Sequence, residues 1–376
     1  MITPNVQQPK LTLSVLDQSP IADGGSVGQA LRNSVDLAKL ADSLGYHRYW
    51  LAEHHSTPAL ACNSPEALIG PVAMATKQIR VGSGGIMLPH YSPLKVAETF
   101  AMLAEMFPGR IDLGLGRAPG SDGGTAFALQ RDRRQRSPDD FPEQLTELLG
   151  YFHGRIPDGL PLRTVLPGRR EFPEPYLLGS SPASGQWAAN FGLPYVFADF
   201  ISPTGAHIVD FYRKQFDPGE YGAKPHTTVA AWVIAADTEE AAWRLASSFI
   251  MMFTLMHQGQ LIAVPSPETA LKFLNDRGIP LTGSPPGRRT IVGTPEQVKT
   301  GIEALAAEYQ ADEVMLVNIL HDHQARKHSY ELVAEAFELN RVTANDSSSV
   351  ATNDGVALPA GPPSQARSGR AETRSA

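Results

Sequence analysis

A few residues of this chain have types and spacings that could do chemistry. Arg117 follows the apolar run Ile111–Gly116 (IDLGLG). A cation just past a strand end can hold an anion through charge-assisted hydrogen bonds, although an ordinary surface arginine would read the same way. Ser180, Ser181 and Ser184 lie in GSSPAS, between an apolar run and an alanine-containing segment. Hydroxyls and open N–H groups at a helix start can cradle a phosphate; simple capping asks for the same residues. His54 and His55 follow the run Arg48–Glu53 (RYWLAE). Neighbouring residues of a strand face opposite sides, so the two do not make one metal site in regular β-geometry. A single histidine acting as base or hydrogen-bond donor is the better reading. A zinc-dependent hydrolase using His54 or His55 is a rival that metal analysis would settle. Gly84-Gly85 interrupts the apolar run Ile79–Leu88, as a close backbone approach would require.

Two other motifs carry less. GLGRAPG at Gly114–Gly120 spaces its glycines as G-x-G-x-x-x-G, not as the dinucleotide fingerprint, and no clear helix opens behind it. Cys62, in LACNSP, has no basic neighbour in sequence and reads as an inert or cavity-lining thiol.

These residues need elements to position them. Ile79–Arg117 reads as strand, crossover helix (Pro93–Met106) and strand, a βαβ unit that implies a parallel sheet. Its Gly84-Gly85 and Gly116-Arg117 fall at C-terminal strand ends, where α/β folds bind ligands. The same alternation runs along the chain. Strands are expected over Leu11–Asp17, Arg48–Glu53, Pro175–Gly179, Tyr195–Ala198, Thr227–Ala235 and Glu313–Asn318. Helices are expected after Ser26, over Pro65–Thr76, Phe141–Phe152, Gln186–Phe191, Thr204–Gln215 and Glu239–His257, after Thr294, and over Ala325–Asn340. Residues 118–140 read as a long loop over the binding edge. Gln258–Arg289 reads as a proline-rich insertion, a candidate lid, around a short helical piece at Pro267–Asp276. Eight strand–helix units close naturally into a (β/α)8 barrel; an open doubly wound sheet is the runner-up. From Val342 the chain is rich in Ser, Ala, Pro and Gly, and disorder is expected there. The reading is one domain over 1–341 and a tail over 342–376.

Composition bounds the function classes. At 376 residues and 42% apolar the chain can bury a large core. The net charge of −7 argues against nucleic acid as the main partner. No apolar run approaches the roughly 20 residues that span a bilayer. The single cysteine excludes an intrachain disulfide, and the first residues lack a signal-peptide pattern, so a cytoplasmic location is expected.

Five stretches together carry a resemblance: RYWLAEHH, GSGGIMLPHYSPLKVAE, PGRIDLGLGRAPG, GSSPASGQWAANFGLPY and IVGTPEQV. In this order they resemble the bacterial luciferase-like flavin-dependent monooxygenase family, over roughly Leu11–Leu339. The resemblance implies a TIM barrel binding FMN at the C-terminal strand ends. It places Arg117 on the flavin phosphate, with Ser181 and Ser184 as hydroxyl contacts. Ser180 stands where luciferase itself carries a glutamate. It puts Gly84-Gly85 beneath the flavin ring, as a pair that often forms a cis peptide, and makes His54 the catalytic histidine. It further implies a two-component enzyme. Reduced FMN would come from a separate flavin reductase, and dioxygen would add to it as a C4a-hydroperoxide. An apolar or aromatic small molecule would be oxygenated, with secondary metabolism as the candidate setting. Family members are commonly homodimers, and the apolar Pro65–Thr76 helix gives a physical reason for one. The alternatives are an F420-dependent oxidoreductase on the same barrel and a non-enzymatic flavin-binding protein.

Overall fold

The computed structural model describes residues 11–118, 120, 122–130, 140–285 and 287–340. The tail expected from Val342 lies outside them. In chain order the first half runs β1 (Thr12–Asp17), α1 (Val27–Leu44), β2 (Arg48–Leu51), α2 (Pro65–Ala75), β3 (Arg80–Met87), α3 (Pro93–Met106), β4 (Ile111–Gly116), α4 (Gly123–Leu129) and α5 (Phe141–Phe152). The second half runs β5 (Glu174–Gly179), α6 (Pro182–Asn190), β6 (Tyr195–Ala198), α7 (Ala206–Gln215), β7 (Thr227–Ala235), α8 (Glu239–His257), α9 (Pro267–Asp276), β8 (Thr290–Gly293), α10 (Pro295–Tyr309), β9 (Glu313–Val317) and α11 (His323–Ala336).

Strands β1 to β7 pair in sequence, all parallel. β9 bridges β7 and β1, closing an eight-stranded barrel. The (β/α)8 expectation therefore holds, and the open sheet does not. β8 is a ninth strand outside the ring. It pairs with Trp232–Ala235, beyond the stretch of β7 that pairs with β6.

The helices expected after Ser26 and Thr294 are capped by those two residues. The Ser26 hydroxyl accepts from the Gln29 N–H to open α1, and Gly45 ends it in a left-handed turn. Thr294 and Gln297 form a capping box on α10. Two local readings change. Residues 123–129 of the expected loop form α4, opened by the Asp122 carboxylate accepting from Gly124 and Thr125 N–H. The helix expected from Gln186 starts earlier, at Pro182. Ser181 is a good N-cap and proline suits the first helical position, so Ser184 lies inside the first turn.

The lumen is layered. At the N-terminal strand ends Arg48 donates to Glu313 at 3.1 Å and to Asp112 at 2.9 Å, and both carboxylates are fully buried. Burial alone would raise the Glu313 carboxyl, but Arg48 beside it, with His226 Nε2 at 3.5 Å and the Ser14 hydroxyl donating to it, holds it at about 2. Above this floor Trp50 and Tyr176 meet edge to face at 5.0 Å, with Leu16, Val196, Ala230 and Met315 around them. A barrel sealed below leaves its space at the opposite mouth.

Candidate active site

Two neighbouring cavities lie at the C-terminal strand ends. The smaller, about 250 Å³, is lined by Gly84, Gly85, Arg117, Ser180, Ser181 and Ser184, among others. The larger, about 630 Å³, is lined by His54 and His55. Phe200 and Ile201, just past β6, line both. The structure thus gathers all the sequence-predicted residues at one mouth, but puts His54 in the cavity next to the others.

The smaller cavity is built on backbone. The Gly84-Gly85 peptide is cis. A Cβ on Gly85 would sit 2.8 Å from the Gly114 carbonyl oxygen, and one on Gly114 would sit 2.2 Å from the Ser83 carbonyl oxygen. β3 and β4 approach each other there at a distance only glycine permits. Arg117 follows β4 and is exposed, with its guanidinium 5.4 Å from the Trp187 ring of α6. That contact brings the cation to the helix whose N-terminus carries the serines.

The three serines differ. Ser181 is the N-cap of α6, and its hydroxyl accepts from the Ser184 N–H at 3.4 Å. The largely buried Ser184 hydroxyl donates to the Ser181 carbonyl at 2.7 Å and lies 2.9 Å from the Tyr195 hydroxyl, so it is already engaged inside the fold. Ser180 lines the cavity just before the cap. The N-terminal end of α6, with its positive dipole end, faces the same space as Arg117.

His54 is partly buried, and its Nδ1 is a buried nitrogen without a hydrogen-bond partner among the described residues. Its backbone N–H is tied to the Cys62 carbonyl at 3.0 Å. Burial, and then the neighbouring His55, lower its pKa to about 4, so the ring is neutral at pH 7. His55 is held differently, with Nε2 2.8 Å from the buried Glu53 carboxylate. Burial pushes the Cys62 thiol up to about 12, which makes it inert. Among the described residues no group of three His, Cys, Asp or Glu side chains is arranged to hold a metal ion.

A sequence-family profile described as luciferase-like monooxygenase matches residues 11–313. The chain belongs to the luciferase-like monooxygenase family. An Escherichia coli (strain K12) luciferase-like monooxygenase is 39% identical over 329 residues, 87% of this chain and 97% of that protein. The crystal structure of apo-MsnO8 is 38% identical with a TM-score of 0.81, covering 88% of this chain and 99% of that one. The oxygenating constituent of 3,6-diketocamphane monooxygenase from Pseudomonas putida, in complex with FMN, has a TM-score of 0.66. It covers 87% of this chain and 97% of that one, and at 20% identity the likeness is one of fold.

Within this luciferase-like monooxygenase, sequence reasoning missed several residues of the mouth. Trp232 is inward-facing on β7, packs on Phe249 at 4.6 Å and donates its indole N–H to the Phe200 carbonyl at 3.0 Å. Its place in a strand was legible; its place in the larger cavity was not. Gln18 and Arg288 also line that cavity. Neither belongs to a recognisable motif, and only closure of the barrel brings them together.

Proposed function

We propose that this chain is the oxygenase component of a two-component monooxygenase. It takes reduced FMN from a separate flavin reductase and oxygenates a small, largely apolar molecule. The observation that carries the reading is the smaller cavity. It has a glycine floor where β3 and β4 meet, and a cation and a helix N-terminus at its rim. A flat ring with a phosphate tail needs those two features together. The named relative that is an FMN complex has the same fold, which supports the cofactor assignment.

Bound there, reduced flavin supplies activated dioxygen for insertion of one oxygen atom. The residues of the chain do the rest. Gly84 and Gly85 admit the ring against backbone. Arg117, the Ser180 and Ser181 hydroxyls and the start of α6 hold the phosphate; Ser184 serves chiefly by fixing the cap. Phe200, Trp232 and Phe253 give the larger cavity apolar walls that exclude water. His54, neutral and with an unengaged Nδ1, receives or supplies a proton beside the substrate.

The chain works as a homodimer through α2 and α3. Met74, Met102 and Met106 expose apolar side chains on these two packed helices, and an exposed apolar patch marks an interaction surface. Sedimentation at micromolar concentration tests this. A monomer sinks it. No helix among the described residues is long and apolar enough to cross a membrane.

The deciding experiment is titration with FMN and with F420 in parallel, followed by oxygen uptake with reduced FMN and a panel of apolar substrates. FMN binding with substrate-dependent oxygen uptake is expected. Binding of the deazaflavin in place of FMN, or no oxygenated product from any substrate, would overturn the assignment.

A further inference from the structure

The larger cavity is mostly apolar, with Trp232, Met252, Phe253, Leu261 and Ile262 on its wall. Three polar residues on that wall stand out: Gln18, His54 and Arg288. Each has a buried nitrogen without a hydrogen-bond partner among the described residues: Gln18 Nε2, His54 Nδ1 and Arg288 Nε. Buried donors are ordinarily satisfied. Three residues with under-satisfied nitrogens ring one apolar space, which suits a guest with polar atoms of its own.

Arg288 decides the sign of that guest. Its Nη1 donates to the Phe200 carbonyl at 3.3 Å and to the Ile201 carbonyl, and its guanidinium lies 5.0 Å from the Phe253 ring centre. These contacts fix its plane without neutralising it. No carboxylate lies within 4 Å of it among the described residues. The other arginine of the same turn, Arg289, is instead paired with Glu308. The cavity's own carboxylate, Asp122, accepts three hydrogen bonds at the start of α4. Burial lowers the Arg288 pKa, with no acidic neighbour offsetting it. A desolvated cation that the described residues leave unopposed favours an anionic ligand, and a planar guanidinium matches a carboxylate.

We propose that Arg288 is a specificity-determining residue that recognises the carboxylate of a substrate with an apolar body, with the Gln18 amide as a second donor. One unopposed cation matches a monoanion. The inference rests on the proposed function, in that the larger cavity is taken as the substrate site beside the flavin seat.

The test uses octanoate and octanol as matched probes, titrated calorimetrically into the full chain with and without FMN. Wild type is expected to bind octanoate at least about 10-fold more tightly than octanol. Arg288→Met should lose that preference, weakening octanoate by roughly 30-fold, as loss of one partner of a buried charge pair does. Arg288→Lys keeps the charge and should retain part of it. Equal affinity for the two probes in wild type, an unchanged preference in Arg288→Met, or a loss in Arg288→Lys as complete as in Arg288→Met would each overturn the proposal. FMN titration of the same samples scores the cofactor assignment separately. Arg288→Met should bind FMN as wild type does, and failure of wild type to bind FMN would sink that assignment while the probe preference stands on its own result.

Discussion

The two carboxylate oxygens of Glu53 serve two different segments: Oε1 lies 2.8 Å from His55 Nε2, and Oε2 accepts the Met87 backbone N–H at 2.9 Å. Glu53 is buried, so neither bond is shared with solvent. One side chain thereby ties the segment after β2, which carries His54, to the end of β3, which carries Gly84-Gly85. Replacing Glu53 with alanine strands a buried N–H and an imidazole. The expected cost is roughly 2–5 kcal/mol of stability, read by urea denaturation. FMN affinity should fall with it. A Glu53→Ala protein as stable as wild type would show that the tie carries no weight.

Arg117 gives a sharper test of the flavin seat. Arg117→Ala should weaken FMN by at least about 10-fold, because a charge-assisted bond to phosphate is lost. Riboflavin, which has the ring and no phosphate, should bind wild type and variant alike. If both ligands weaken equally, Arg117 supports the fold of the mouth and not the phosphate.

His54 sets a pH dependence. Its folded pKa of about 4 lies below the ordinary histidine value of 6.5. Between those values the unfolded chain binds the proton and the folded chain does not, so stability falls as pH drops through 6.5 towards 4. Between pH 7 and pH 5 this one group costs roughly 2 kcal/mol. His54→Gln should remove that share of the slope while wild type keeps it. Superimposable pH–stability curves for the two proteins would refute the assignment.

The barrel floor makes a prediction of the same sign at lower pH. Arg48→Met leaves the buried Glu313 and Asp112 carboxylates without their shared cation, at an expected cost of roughly 3–5 kcal/mol. In wild type the Glu313 pKa is depressed to about 2. Its contribution is therefore fully present above the ordinary value of 4.5 and is lost as pH falls from there towards 2. Thermal melts of both proteins at pH 7 and pH 3 measure this, and the gap between them should narrow at pH 3.

Most of the fold was legible because most of its elements follow a simple period. β4, β6, β7, α3, α5 and α8 fall where the apolar spacing puts them. β8 was missed because it has four residues behind a proline-rich stretch and only Gly293 of them is buried. α4 was missed because it opens on two glycines and buries no residue; its Asp122 cap, rather than an apolar face, holds it. The site divides along the same line. Gly84, Gly85, Arg117 and the serines stand at strand ends and a helix start, positions that sequence marks, and they line one cavity. Arg288 and Gln18 have no marker, because their meeting depends on how an irregular excursion folds back over the closed barrel.

The position of β8 has a consequence for how such a protein changes over time. The smaller cavity is made from consecutive barrel strands, where β3 and β4 are in backbone contact and a single added methyl group would collide. The larger cavity takes Met252, Phe253 and Met256 from α8, and Gln260, Leu261, Ile262 and Arg288 from the excursion between α8 and β8. β8 fastens that excursion to the free edge of β7, outside the closed ring. Its residues can be exchanged, lengthened or shortened without reopening the barrel. One half of the mouth is held fixed by geometry while the other is free to drift, so descendants of this chain can acquire new guests and keep the old seat.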